Sequence, residues 1–398
     1  MDWIVFGDDW GRHPSTTQHL VRALPDGDRV LWVDSIAMRA PRLSIGDLGR
    51  VWSKRPRVRA GEMCESTPDG VTRFTPVILP WHAQPAIRRI NALLLRRTLA
   101  ATSRRMGFVR PTVLCANPVA AYYAGALCHG PLAYLRLDDY PRLPGVDAEL
   151  ARHAERHMRS KADLCFATAK ALIPKDIAAH ETWHYLPQGV DRAHFGRVPT
   201  EPPEGKVLGF FGLLAEWIDF DLIAAVADAR PDWTIELRGP VRVLPDALRT
   251  RANVHLLPAV PYAQLPEAIA HWQAAWLPFR VSELTRGVNP LKAREYLAAG
   301  LPCISTPLPE LAALPEVSVG ACAKDVTHFL ESEVAADTEA KRLDRRAAML
   351  EHSWSARANS LRESSKKLEP TASERFTSGN SARSESQNGA TIPFRASH

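Results

Sequence analysis

The chain has 398 residues, 45% hydrophobic and 24% charged, with a formal net charge of +6, which is enough for two domains with separate cores and a tail. No apolar run approaches the roughly 20 residues that cross a bilayer, and the opening MDWIVFGDDWG carries acids where a secretory signal needs bases, so a cytoplasmic location is expected. Six cysteines (Cys64, Cys115, Cys128, Cys165, Cys303 and Cys322) lie scattered without a C-x-x-C pair. They read as buried thiols rather than disulfides or zinc ligands, while the modest positive charge keeps nucleic acid, anionic lipid and phosphorylated small molecules in view as partners.

Short apolar runs alternate with amphipathic stretches, the pattern of βαβ units around a parallel sheet. In the first half, strands are predicted at 3–7, 29–34, 71–79, 112–117, 132–139, 163–169 and 184–189, with helices between most of them. The stretch 86–110 carries seven arginines in or beside pairs (Arg88, Arg89, Arg96, Arg97, Arg104, Arg105, Arg110) around the apolar run 92–95. Ile90, Leu94 and Met106 are expected to face inward, leaving a basic face that either meets anionic head groups or is simply solvated. Residues 191–205, rich in proline and polar side chains, read as an interdomain linker. The pattern then restarts, with strands at 207–212, 234–239, 254–260, 274–279 and 302–307. The fold class is therefore α/β, with two doubly wound domains, residues 1–190 and 206–345, facing a cleft. A C-terminal helix over 346–367 and a disordered tail over 368–398 complete the chain.

Ligands of open α/β sheets bind beyond the carboxyl ends of the strands, which singles out GDDWGRHPSTTQHL, LDDYPRLPG and FRVSELTRGVNPLK. The last leads into GVNPLKAREYLAAG, residues 287–300. There Asn289 is expected to cap a helix, Pro290 to occupy its first position and Gly300 to end it. Lys292 and Glu295, three residues apart, share one helix face. A lysine in a first turn reinforces the pull of a helix N-terminus on a phosphate, and a carboxylate one turn on can accept sugar hydroxyls. The alternative is a solvated Lys–Glu pair.

FFGLLAEWIDFDLI, LPQGVDRAHF and GVNPLKAREYLAAGLPCISTPLPEL together make residues 1–366 resemble bacterial glycosyltransferases of the glycosyltransferase-B fold. The likeness is strongest to cell-surface and exopolysaccharide transferases such as the xanthan glucuronosyltransferase group. It implies two Rossmann-like domains, a second domain that binds a nucleotide diphosphate sugar, and a last helix that returns to the first domain. It further implies a donor set of Lys292, Glu295, Arg286, Asn289 and Gly212. No cofactor besides the donor, no metal and no nucleic acid are expected; the acceptor is a glycan or lipid-linked sugar, with peripheral contact at the inner membrane. Two departures stand out. Retaining members of the large family 4 carry Glu-x7-Glu, and counting back from Glu295 finds Gly287; a basic pair usual after the first strand of the second domain is replaced by Leu213 to Trp217. The first weakens the case for a retaining transfer, and the second leaves the positive charge for the diphosphate to Lys292, Arg286 or Arg280, the nearest bases in sequence.

An inverting transfer needs a base facing the acceptor. Asp138 and Asp139, at the end of the strand predicted over 132–139, are candidates, and the resemblance places a proposed base at a comparable strand end. Neighbours on an extended strand point oppositely, so one of the two faces the cleft; Asp139, nearer the loop, is preferred, and either acid alternatively caps the following turn. His13 is the rival, with Asp8 or Asp9 to orient it, unless it merely flanks a helix opened by Pro14 and Ser15. Trp10 and Trp217 are positioned to stack on sugar or base, or to pack. A nucleotide-sugar epimerase or dehydrogenase is disfavoured because no strand is followed by G-x-G-x-x-G. A catalytically silent sugar-binding protein of the same fold remains the second hypothesis.

Overall fold

The computed structural model describes residues 1–11, 14–36, 67–79, 81–82, 84–125, 127 and 130–368. Seven parallel strands build the first sheet: β1 (Asp2–Phe6), β2 (Arg29–Val33), β3 (Val71–Phe74), β4 (Thr112–Cys115), β5 (Leu132–Arg136), β6 (Leu164–Ala167) and β7 (Trp183–Tyr185). Their order is β3-β2-β1-β4-β5-β6-β7, so the chain reverses direction beside β1. The second sheet uses β8 (Val207–Phe211), β9 (Thr234–Arg238), β10 (Val254–Leu257), β11 (Ala274–Leu277), β12 (Cys303–Ser305) and β13 (Val317–Val319) in the order β10-β9-β8-β11-β12-β13. Two all-parallel, doubly wound sheets are what the repeated βαβ pattern predicts.

Parallel strands covered on both faces read as continuous apolar runs because each face needs its own core. In β1, Ile4 and Phe6 join one cluster while Trp3 and Val5 join the other, on the opposite face. Trp354 and Leu361 of the last helix, Trp354–Lys366, complete that second cluster, and Arg362 reaches Asp28 at 3.0 Å. The last helix thus returns to the first domain.

Several predicted elements end earlier than expected, three of them just ahead of a proline, which cannot extend a ladder. β3 stops at Phe74 before Pro76, β10 at Leu257 before Pro258, and β11 at Leu277 before Pro278. β5 stops at Arg136, so Asp138 and Asp139 sit in a loop and not on a strand. The single helix expected at the C-terminus is two: Glu339–Ala348, whose Arg346 donates to Ala299 at 2.9 Å, and Trp354–Lys366, opened by the Ser353 side chain. β13 has no counterpart in the sequence reading, since three residues are too short to show a period. Within 191–205, Arg192–Phe195 is helical and Phe195 is buried in the second core. Residues 369–398 of the expected tail lie outside the described residues.

The 85–105 helix corrects another expectation. It buries Asn91, Leu95, Leu99 and Ser103, whereas Ile90 and Leu94, expected inside, are 46% and 40% exposed. Asn91 is the reason: its amide exchanges hydrogen bonds with both backbone groups of Leu79 and so turns that face inward. Met106 does pack against the core. Of the cysteines, Cys115, Cys165 and Cys303 are buried free thiols and Cys322 is exposed; Cys64 and Cys128 lie outside the described residues. Among the described residues, no helix is long and apolar enough to cross a membrane.

Candidate active site

Between the domains lies a cavity of about 430 Å³, lined by Ser15, Asp138 and Gln188 from the first domain and by Trp217, Asn289 and Lys292 from the second. It sits beyond the carboxyl ends of β5 and β8, where the fold leaves its loops free.

The helix Leu291–Ala298 carries Lys292 and Glu295, and Gly300, at φ 87°, ends it in the left-handed conformation as predicted. Lys292 extends along the turn that follows β8. A Cβ on Gly212, at φ +147°, would lie 2.4 Å from Lys292 Cε, and a Cβ on Gly239 would lie 2.1 Å from the Gly212 carbonyl oxygen. The two strand ends therefore stack bare backbone beside the ammonium, the space a phosphate needs for close approach. Burial lowers the Lys292 pKa, opposed by the Glu295 charge. Burial raises Glu295, 5% exposed, to about 7, with Lys292 opposing.

Asn289 does not cap this helix; Pro290 occupies the cap position, and the Asn289 amide donates to the Thr168 carbonyl at 2.8 Å and to Glu310 at 3.2 Å. Arg294, 3% exposed, in turn donates to the Asn289 side-chain oxygen at 2.7 Å. Proline fixes φ but lends no side-chain acceptor, so Asn289 is free to bridge the domains. Arg286, expected in the donor set, points to Glu283 at 2.8 Å and is largely exposed. Arg280 similarly reaches Asp221 at 3.4 Å.

Across the cavity the two aspartates separate in the order opposite to the one expected. Asp139 is held at 2.5 Å by Arg142, one turn on. Asp138 lines the cavity, and burial together with the neighbouring Asp139 charge pushes its carboxyl up to about 7. Asp139 is preferred in the sequence as the acid nearer the loop; here both acids lie in the loop, and the Tyr140–Arg142 turn brings Arg142 onto Asp139. His13 lies outside the described residues. Asp8 accepts from Ser15 at 3.0 Å and from Gln18, and Asp9 accepts from Ser35 at 2.7 Å. Ser15 caps the helix Thr16–Arg22, as anticipated. Trp217 lines the cavity, whereas Trp10 is buried and packs edge-on against Trp32 at 4.7 Å.

Three ionisable groups therefore differ from their neighbours. For the side chains of Asp138, Lys292 and Glu295 no hydrogen bond or ion pair forms among the described residues, while Asp139, Arg286 and Asn289 are all engaged. Ionisable groups withdrawn from water without hydrogen bonds are costly in a fold, and here Asp138 and Lys292 border one cavity from opposite domains.

Glu310 escaped the sequence reading. It is 6% exposed and accepts from the Lys170 backbone at 2.5 Å and the Tyr185 hydroxyl at 2.6 Å, both across the domain boundary. Its segment, STPLPEL, ends the stretch GVNPLKAREYLAAGLPCISTPLPEL, but nothing local distinguishes a cross-domain acceptor from a surface acid. Gly287 stands at the same boundary: a Cβ there would lie 3.2 Å from Leu172 and 3.9 Å from Asp139. A longer side chain at this position would press on the first domain.

No family model matches the chain. It is 32% identical over 152 residues to a Bacillus subtilis protein provisionally assigned as the teichuronic acid biosynthesis glycosyltransferase TuaH; the match spans 35% of this chain and 38% of that protein. Among solved structures, sucrose-phosphate synthase of Thermosynechococcus elongatus superposes with a TM-score of 0.63 at 13% identity, over 92% of this chain and 99% of that one. Anabaena HepE in complex with UDP-glucose gives 0.63 at 16% identity, over 92% and 100%. The chain has the glycosyltransferase-B fold, two Rossmann-like domains around a cleft.

Proposed function

We propose that the chain is a glycosyltransferase that moves a sugar from a nucleotide diphosphate sugar to a glycan or lipid-linked acceptor in cell-surface polysaccharide synthesis. The observation that carries this reading is the pairing of an unengaged ammonium, Lys292, with an unengaged carboxyl, Asp138, across one interdomain cavity. Lys292 and the bare turns at Gly212 and Gly239 take the diphosphate. Glu295 accepts a hydroxyl of the donor. Asp138 removes the proton from the acceptor hydroxyl as its oxygen forms the new bond to the anomeric carbon and the nucleoside diphosphate leaves with the old bonding pair. A base on the acceptor side and Gly287 in place of the first glutamate of Glu-x7-Glu support inversion, and the ammonium supplies charge that a metal would otherwise provide. The UDP-glucose held by the HepE structure makes UDP-sugars the first donors to test.

Calorimetric titration with UDP and GDP, followed by assay of nucleoside diphosphate release from sugar donors in the presence of bacterial lipid extract, tests the reading. Lack of binding by either nucleotide rejects it. Gly287 and the absent basic pair also favour a second reading, a sugar-nucleotide binder without turnover. Tight nucleotide binding without any transfer would select that one.

The first domain also offers a membrane-facing surface. Ile90, Leu93 and Leu94 are exposed on the arginine-rich helix 85–105, with Trp81 exposed just before it. Apolar side chains among arginines suit the boundary of an anionic bilayer, each base near the surface adding about 1 kcal/mol. Sedimentation with anionic and neutral liposomes at low and high salt checks this. Salt-sensitive binding to anionic vesicles is expected.

A further inference from the structure

A second cavity, of about 480 Å³, lies at the other end of the second domain. It is lined by Lys206, Arg230, Trp233, Glu331, Asp337 and Arg342. Lys206 and Trp233 immediately precede β8 and β9, so the cavity is a full strand length, roughly 16 Å, from the turns at Gly212 and Gly239. It is separate from the interdomain site.

Its electrostatics are unbalanced at one residue. Arg342 is fully buried, and its Nε donates to Asp337 at 2.7 Å. Asp337 is shared, because its other oxygen accepts from Arg345 at 2.7 Å. Two guanidinium groups thus lean on one carboxylate. Both terminal nitrogens of Arg342 have no acceptor among the described residues, and the same is true of the buried Trp233 indole N–H. The remaining charges at the rim are already matched: Arg230 and Lys206 hold Asp232 at 2.9 and 2.8 Å, and Glu331 is 3.5 Å from Arg230. Buried donors without acceptors are unfavourable, most of all on a charged group. Leu330–Val334, which contributes Leu330, Glu331 and Val334 to the lining, is a rare π-helical turn of the kind that often marks a functional position.

We propose that this cavity binds a small oxyanion, a phosphate or carboxylate group, gripped by the two terminal nitrogens of Arg342 and by the Trp233 indole. A planar guanidinium with two free N–H edges matches such a group in a bidentate manner. The site lies on the helix 339–348, whose Arg345 and Arg346 hold the Gly300 and Ala299 carbonyls at the end of the Lys292 helix.

The test titrates the full-length protein with inorganic phosphate, glucose 6-phosphate and malonate, with and without saturating UDP, by calorimetry and thermal melting. One equivalent is expected to bind, to raise the melting temperature, and to bind equally well with UDP present. Arg342→Gln should weaken binding at least tenfold, and Trp233→Phe, which keeps the ring and drops the donor, severalfold. Preference for phosphate or for malonate assigns the group, and either supports the site. No binding of any of the three, competition by UDP, or equal affinity in both variants overturns it. Should Arg342→Gln fail to fold, Trp233→Phe alone decides: unchanged affinity rejects the proposal.

Discussion

The loop holding Asp138 and Asp139 and the helix holding Lys292 and Glu295 face each other, yet they present their charges by different means. On the helix, the spacing of three residues puts both groups on one side, and the backbone holds them there. In the loop, adjacent acids diverge because Arg142 takes Asp139 and leaves Asp138 to the cavity. An exposed ion pair of this kind is worth about 0–1 kcal/mol, too little to build a loop, but enough to decide which of two neighbours turns away. Regular structure sets the spacing of side chains; local partners select which of two neighbours meets the cavity.

The largest effect is expected from Asp138→Asn. Turnover should fall by roughly a hundredfold or more with donor binding intact, as when a general base is neutralised. Asp139→Asn should cost about tenfold or less, through loss of the Arg142 contact. The reverse ranking in steady-state kinetics would return the base to Asp139, and His13→Ala in parallel tests the third candidate.

Next in size is the helix side. Lys292→Ala should weaken nucleoside diphosphate binding by about 1.5–3 kcal/mol, the usual worth of a hydrogen bond to a charged group, read by calorimetry. Gly212→Ala should weaken it as well, because its Cβ would displace the Lys292 side chain. Affinity unchanged in both would place the diphosphate elsewhere.

The pH dependence sharpens the contrast. With the Asp138 carboxyl at about 7, kcat/KM should fall as pH drops through that value, because the base must be deprotonated. Stability runs the other way. Asp138 and Glu295 titrate at about 7 when folded, against about 4 in an unfolded chain. These two carboxyls therefore hold more protons in the folded chain between those values and contribute stability that declines as pH rises from about 4 through 7, against the opposite contribution of His352, which burial pushes down to about 4. Thermal melts should show that decline, shallower in Asp138→Asn; an identical slope would remove Asp138 from the titration.

The smallest effect expected is at the boundary that keeps the two sides in register. Glu310→Gln should destabilise the domain contact by about 1–3 kcal/mol, seen as a lower melting temperature with nucleotide affinity nearly retained. A large loss of nucleotide affinity instead would move Glu310 from a strut to the donor site.

The two parallel sheets, the restart near residue 206 and the Lys292–Glu295 spacing on one helix face were legible in the sequence. Each rests on local chemistry: apolar runs that need cover on both faces, helical spacing, and glycine where φ must be positive. Tertiary structure alone decided that Asn289 bridges domains rather than capping a helix, that Ile90 and Leu94 point outward, and that Asp138 rather than Asp139 lines the cavity. In each case the outcome is a competition between partners far apart in the chain, Thr168 for Asn289 and Leu79 for Asn91, or between a strand and the turn that interrupts it. No periodicity records such a competition, because the competing groups meet only after the sheets have formed.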